Sequence, residues 1–164
     1  MTRETVYVAI GSNVEPAMNF AIAMDALRAR YGQVALSRVY RNRAVGFSGD
    51  DFFNAVLSFA TDEDVVSLLT TLHHIEGLCG RRRDDPKWAP RRMDLDVLRI
   101  GEWVGEWPGL TLPRPDLTRR PYMLGPLVEL APTLLDPTSG KSYAELWQLM
   151  QSDDHPMTPT AWRF

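Results

Sequence analysis

The stretch KWAPRRMDLDVL, Lys87 to Leu98, decides how the rest of the chain reads. Its last third opens an apolar, β-prone run, Met93 to Ile100, interrupted by Asp94 and Asp96. In a strand, side chains repeat every two residues, so the two carboxylates leave one face, roughly 7 Å apart along the chain. Two anionic groups so close are costly unless positive charge sits between them. Just upstream the chain supplies Arg81, Arg82, Arg83, Lys87, Arg91 and Arg92. Carboxylates that hold a hard cation, beside guanidiniums that grip phosphate, describe a metal–polyphosphate site. The same residues also fit a solvated sheet face with Leu95 and Val97 inward and a charged surface loop beside it. Trp88 and Pro90, crowded onto the same short approach, favour the first reading.

Composition narrows the classes. At 164 residues, 45% hydrophobic and 24% charged, the chain is long enough for one domain with a real core. A net charge of −3 opposes general nucleic-acid affinity, so the positive charge is local. The single cysteine, Cys79, excludes an internal disulfide and fits a reducing compartment. It has no sequence neighbour that would activate a thiol, and reads as a small packing residue. No unbroken apolar segment reaches the length of a membrane span. The N-terminus, MTRETVYVAIGSN, runs straight into strand pattern without a leader's apolar core. A soluble, cytoplasmic monomer is expected.

Working outward, Val6 to Ile10 is apolar throughout, as in a strand buried on both faces, and Gly11-Ser12-Asn13 turns the chain out of it. Pro16 to Tyr31 has helical spacing at Phe20, Met24, Leu27 and Tyr31, with Gly32 as the stop. Gln33 to Arg41 reads as a second strand with Val34, Leu36, Arg38 and Tyr40 on one face. Phe52 to Ala60 reads as a third, apolar but for Asn54 and Ser58. Thr61 is expected to cap the next helix, with Asp62, Glu63 and Asp64 in its first turn and Val65, Leu68, Leu69, Leu72 and Ile75 buried. His73 and His74 are adjacent, so they point about 100° apart and cannot chelate one metal together. Gly101 to Pro108 reads as a hairpin excursion and Leu110 to Leu112 as a short strand. Helices are expected over about Arg119 to Leu130 and Ser142 to Met150. Residues 151–164 read as a loosely held tail, with Trp162 and Phe164 as residues that could dock. The order β-α-β-β-α-β followed by helices predicts an α+β fold: an antiparallel sheet covered by helices on one side, with extra C-terminal helices.

KWAPRRMDLDVL resembles the signature of the 6-hydroxymethyl-7,8-dihydropterin pyrophosphokinases, folate-pathway enzymes, and every constrained position of that pattern is filled. The likeness runs from Tyr7 to about Met150. It implies a ferredoxin-like βαββαβ core, residues 1–164 as one pyrophosphokinase domain, and transfer of pyrophosphate from ATP to the pterin with release of AMP. It further implies two Mg2+ ions held by Asp94 and Asp96, with Arg81 and Arg91 binding the phosphates of the co-substrate ATP; these four are the expected catalytic residues. Glu76, Arg83, Trp88, Val97, Thr111, Arg114 and Arg120 complete the expected ATP site. Gly11, Val45, Phe52, Asn54, Trp88 and Tyr122 are expected at the pterin, with Phe52 and Tyr122 sandwiching its ring and Asn54 on its edge. A buried amide must find partners, and the pterin supplies them. Trp88 is expected on a loop that closes over both ligands and gates turnover. His73 falls near the adenine site by the same likeness.

Some residues depart from the family's habit. Arg114, in PRPDL, stands where histidine is usual, and arginine does not titrate near neutrality. Arg43-Ala44 replaces a proline-containing pair, and Arg119 replaces a common acidic residue. These leave the metal and phosphate residues intact and keep open a relative of the same fold with a drifted acceptor. A non-enzymatic RNA or acidic-partner binder is opposed by the net acidity and the lack of a basic stripe. A glycosyl transferase with Asp-x-Asp is opposed by the short chain.

Overall fold

The computed structural model describes residues 2–42, 51–80, 93–150 and 157–164. In chain order these form β1 (Glu4–Ser12), α1 (Pro16–Tyr31), β2 (Ala35–Leu36), β3 (Tyr40–Asn42), β4 (Phe52–Thr61) and α2 (Val65–Leu78). There follow β5 (Asp94–Ile100), β6 (Gly105–Trp107), β7 (Leu110–Leu112), a 3-10 turn at Pro115–Thr118, α3 (Pro121–Leu130), α4 (Tyr143–Met150) and β8 (Met157–Pro159).

β1 lies at the centre because its side chains are apolar toward both faces. It pairs antiparallel with β4 from Glu4–Thr61 to Ser12–Phe53, and with β5 from Val6–Ile100 to Gly11–Asp94. Among the described residues the sheet has six strands in the order β5-β1-β4-β3-β8, with β2 also on β4. Without β8 this is the antiparallel order of a ferredoxin-like βαββαβ core, β2 and β3 sharing the place of its second strand. The expected α+β class and core are therefore present. Helices cover both faces rather than one. α1 and α2 bury Val6, Val8, Ile10, Leu57, Leu95 and Val97, while α3 and α4 bury Ala9, Val56 and Leu98. A two-residue period shows that a strand has two faces but not which helix lands on each.

Three further expectations are corrected. The strand at Gln33–Arg41 is split, because Ser37 replaces ladder bonds with its own side chain. Its N–H donates to the Val56 carbonyl at 2.9 Å while its Oγ accepts from Val56 N–H at 3.0 Å. Ser37 is buried and Arg38 exposed, so the expected alternation fails there. The cap of α2 is Asp64, whose Oδ1 accepts from Ser67 N–H at 2.8 Å; Thr61 ends β4 instead. The C-terminal segment is docked over residues 157–164: β8 pairs with β3 from Asn42–Met157 to Tyr40–Pro159, and Trp162 stacks on Phe53 at 4.4 Å. Residues 151–156 of that expected tail lie outside the described residues.

The hairpin after β5 is present as β6 and β7, with Trp103 and Trp107 stacked at 5.8 Å. Gly125 lets α3, α4 and β8 meet closely, since a Cβ there would lie 2.8 Å from both Trp147 and Met157. A bulge opposite Tyr7 and Val8 turns Arg99 onto the α3–α4 side, where it is 1% exposed and donates to Tyr143 Oη at 2.8 Å and the Leu135 carbonyl at 2.9 Å. Among the described residues no helix is long and apolar enough to cross a membrane.

Candidate active site

The site is laid out by strand register. Cross-strand partners share a face. Asp94, Gly11, Asn54 and Tyr40 therefore form one row, and Asp96, Ala9 and Val56 the next. Leu95 and Val97 point into the α1–α2 core, which sends Asp94 and Asp96 to the opposite face together. Both carboxylates are half-buried, as are Phe52, Asn54 and Tyr122. The α3–α4 cluster reaches Ala9, Val56 and Leu98, and Tyr122 packs against its border. Among the described residues, the half-burial of Asp94, Asp96, Phe52 and Asn54 keeps this end of the face accessible to a ligand.

Small residues open the floor of this end. Gly11 is required by its neighbour: a Cβ there would lie 2.7 Å from Asn54 Nδ2. The Asn54 amide can cross the sheet only over a residue without a side chain. Asn42 Nδ2 donates to Asn54 Oδ1 at 2.9 Å and so orients the amide. Phe52 precedes Asn54 by two and shares its face. Arg41 and Asp51 pair at 2.8 Å and join β3 to the residue before β4.

The rim facing the carboxylates is cationic. Arg114 N–H donates to the Leu98 carbonyl at 3.0 Å, which ties the segment after β7 to β5. Its guanidinium then lies between two acids, with Nη1 3.8 Å from Asp96 Oδ1 and Nε 3.9 Å from Asp116 Oδ2. These contacts are long and partly exposed, worth at most about 1 kcal/mol, so a polyphosphate could displace them. Tyr122 stands in the first turn of α3. Burial raises its hydroxyl pKa, with the charges of Arg120, Asp116, Asp96 and Arg114 all felt there. The exposed Arg120 precedes α3.

Other expected ligands take different places. Glu76 is 7% exposed, and its Oε2 accepts from Leu95 N–H at 2.9 Å, so it braces the outer edge of β5. The Val97 side chain is core, which leaves only its main chain to meet a nucleotide. Thr111 is exposed on β7 opposite Glu106. Val45, Arg81, Arg83, Trp88 and Arg91 lie outside the described residues. Asn42 and Asp116 were missed by sequence reasoning. A polar residue ending a strand opposite a second asparagine, and an acid two residues after Arg114, are the signals that could have found them.

The donor set suits a hard divalent cation. Among the described residues no three His, Cys, Asp or Glu side chains converge, so Asp94 and Asp96 supply two carboxylates and no closed cage. Mg2+ characteristically uses one or two carboxylates and takes its other oxygens from phosphate and water. The absent side chain of Gly11 and the single methyl of Ala9 beside the acids leave room for such a ligand.

Comparison with known proteins agrees with this geometry. The family model for 7,8-dihydro-6-hydroxymethylpterin-pyrophosphokinase (HPPK) matches residues 7–132. The 2-amino-4-hydroxy-6-hydroxymethyldihydropteridine pyrophosphokinase of Synechocystis is 38% identical over 85% of this chain and 72% of its own length. The protein of the same name from Pseudomonas aeruginosa is 37% identical over 87% of this chain and 90% of its own. A crystal structure of Plasmodium falciparum HPPK-DHPS superposes with a TM-score of 0.64 at 12% identity, which bears on fold alone. It covers 89% of this chain, which spans 43% of that longer one. The chain belongs to the 7,8-dihydro-6-hydroxymethylpterin-pyrophosphokinase family.

Proposed function

We propose that the protein transfers pyrophosphate from ATP to 6-hydroxymethyl-7,8-dihydropterin, releasing AMP, in folate synthesis. The observation that carries this reading is the row Asp94–Gly11–Asn54, which sets an acid on β5 and an amide on β4 across a residue with no side chain. The pterin would lie toward β4, its edge on Asn54 and its ring between Phe52 and Tyr122, with Val45 completing the contact. ATP would lie toward β5. Its phosphates would be gripped by Arg81, Arg83, Arg91, Arg114 and Arg120, whose planar forks match phosphate oxygens in pairs. The hydroxymethyl oxygen attacks the β-phosphorus, the bond from that phosphorus to the α-bridging oxygen breaks, and AMP leaves. The alcohol's proton is assigned to solvent.

Such chemistry rests on positioning and charge neutralisation more than on covalent help from the protein. Asp94 and Asp96 would hold Mg2+, two ions in this reading, and when bound the metal supplies charge stabilisation to the polyphosphate. Trp88 would cover the ligands and exclude water. The protein would act as a cytoplasmic monomer, a setting that suits the lone buried thiol of Cys79. A second reading keeps the ATP half and changes the acceptor. It is favoured by Arg114, which stands against Asp96 at a position where the resemblance makes histidine the usual residue.

The test is AMP formation from ATP and Mg2+, with and without the dihydropterin. AMP that appears only with the pterin is expected. ATP binding without pterin-dependent AMP would overturn the first reading in favour of the second.

A further inference from the structure

The segment 157–164 adds a strand and an aromatic anchor to the end of the sheet that carries Asn54. β3 is three residues long and lies between β4 and β8. Tyr40 pairs with Asn54 on one side and with Pro159 on the other, and Asn42, which orients the Asn54 amide, pairs with Met157. Beyond β8, Thr160 donates from N–H and Oγ1 to the Val39 carbonyl at 2.8 and 3.0 Å. Trp162 then lies flat on Phe53, 4.4 Å between centroids and 10° between planes. The segment is held from beneath by α1: Phe20 meets Trp162 at 6.3 Å and Phe164 at 5.7 Å, and Arg28 Nη2 donates to the Phe164 main-chain oxygen at 2.8 Å.

Phe53 is the residue between Phe52 and Asn54, and its ring takes the opposite face from theirs. Fixing one side chain of a strand on the rear face fixes the aim of its two neighbours on the front. We infer that residues 157–164 latch the acceptor half of the site, and that Trp162 is a positioning residue for the pterin. This rests on the reading that Phe52 and Asn54 hold the pterin. The nucleotide half stands on β5, separated from β3 and β8 by β1 and β4. A loosened latch should therefore be felt by one substrate and not the other.

Steady-state kinetics of Trp162→Ala, Trp162→Phe and the native protein test this, with each substrate varied in turn. Trp162→Ala should raise KM for the pterin roughly tenfold, the size of losing one or two well-oriented contacts to the ligand once Phe52 and Asn54 are no longer held in aim. KM for ATP should stay within about twofold, since a loss confined to one substrate's contacts appears in that substrate's KM. Trp162→Phe should recover most of the pterin affinity. Trp162→Leu, which keeps apolar bulk without the stack, serves in the same comparison if the alanine variant does not fold. Equal shifts in both KM values, or no shift in a folded variant, would overturn the latch. Native protein that forms no pterin-dependent AMP would instead overturn the acceptor reading on which the latch rests.

Discussion

The two faces of β5 share one backbone and have opposite employments. Toward α1 and α2 the strand presents Leu95 and Val97 to a closed apolar core. Toward α3 it presents Asp94 and Asp96, half-buried beside the small residues Gly11 and Ala9. Residues in direct succession thus divide between holding the strand and, in the proposed function, serving a ligand. The rear face fixes the aim of the front, which among the described residues stays half-exposed beyond Ala9, Val56 and Leu98, where the α3–α4 layer covers the sheet. A site with chemical groups on a packed strand is held more tightly than one built wholly on loops.

Substitutions on the two faces should fail in different ways. The largest effect is expected on the front. Asp96→Asn should lower turnover by roughly 10³-fold, the scale for removing one preorganised charge-stabilising group. Its stability should change far less than its turnover, because the Asp96 carboxylate is half-buried rather than part of the core and its 3.8 Å contact with Arg114 is long. Rate assays and thermal melts on one preparation check both halves. On the rear, Leu95→Ala should cost about 2–5 kcal/mol of stability, as buried leucines generally do, while the surviving folded fraction turns over nearly normally. Loss of turnover without loss of stability there would blur the division.

Gly11→Ala should have a smaller effect than either. The new methyl would arrive 2.7 Å from Asn54 Nδ2, so the amide has to move. A pterin KM raised about tenfold with a nearly unchanged ATP KM is expected, the size of losing one or two oriented hydrogen bonds. Unchanged pterin KM would show that Asn54 does not meet the acceptor. The smallest effect belongs to Cys79, in the α1–α2 core. Burial, and after it the charge of Glu76, raise the Cys79 thiol to about 11. Cys79 should stay a thiol at pH 8 and resist alkylation in the native protein while reacting readily in denaturant, as mass spectrometry would read. Thiolate reactivity then returns only as pH climbs toward that raised value.

Much of this architecture was legible because it is local. The helical spacing of Phe20, Met24, Leu27 and Tyr31 and the alternation around Asp94 and Asp96 required no knowledge of partners. The features that were not legible depend on contacts remote in sequence. Ser37 breaks a strand by bonding to Val56, and β8 exists because β3 has a free side for Met157–Pro159 to fill. The cap of α2 was misread because Thr61 and Asp64 are both good caps, and only the path of β4 decides between them. Arg99 escaped notice as a buried cation because a bulge, not the residue pattern, sets its face. In the site, alternation placed Asp94 and Asp96 on one face, while Gly11 and Asn54 entered through the family resemblance, and only the pairing register puts all four in one place. The contact of Arg114 with Asp96 could not, since it depends on how the segment after β7 returns to β5.

The central claim is that Asp94 and Asp96 form a cation–nucleotide platform whose support lies on the opposite face. Electron paramagnetic resonance of Mn2+ with a non-hydrolysable ATP analogue tests it most directly. Native protein and Leu95→Ala, kept below its melting point, should both bind Mn2+ in the presence of the nucleotide, and Asp94→Asn and Asp96→Asn should not. Tight nucleotide-dependent Mn2+ binding by either aspartate variant would contradict the account.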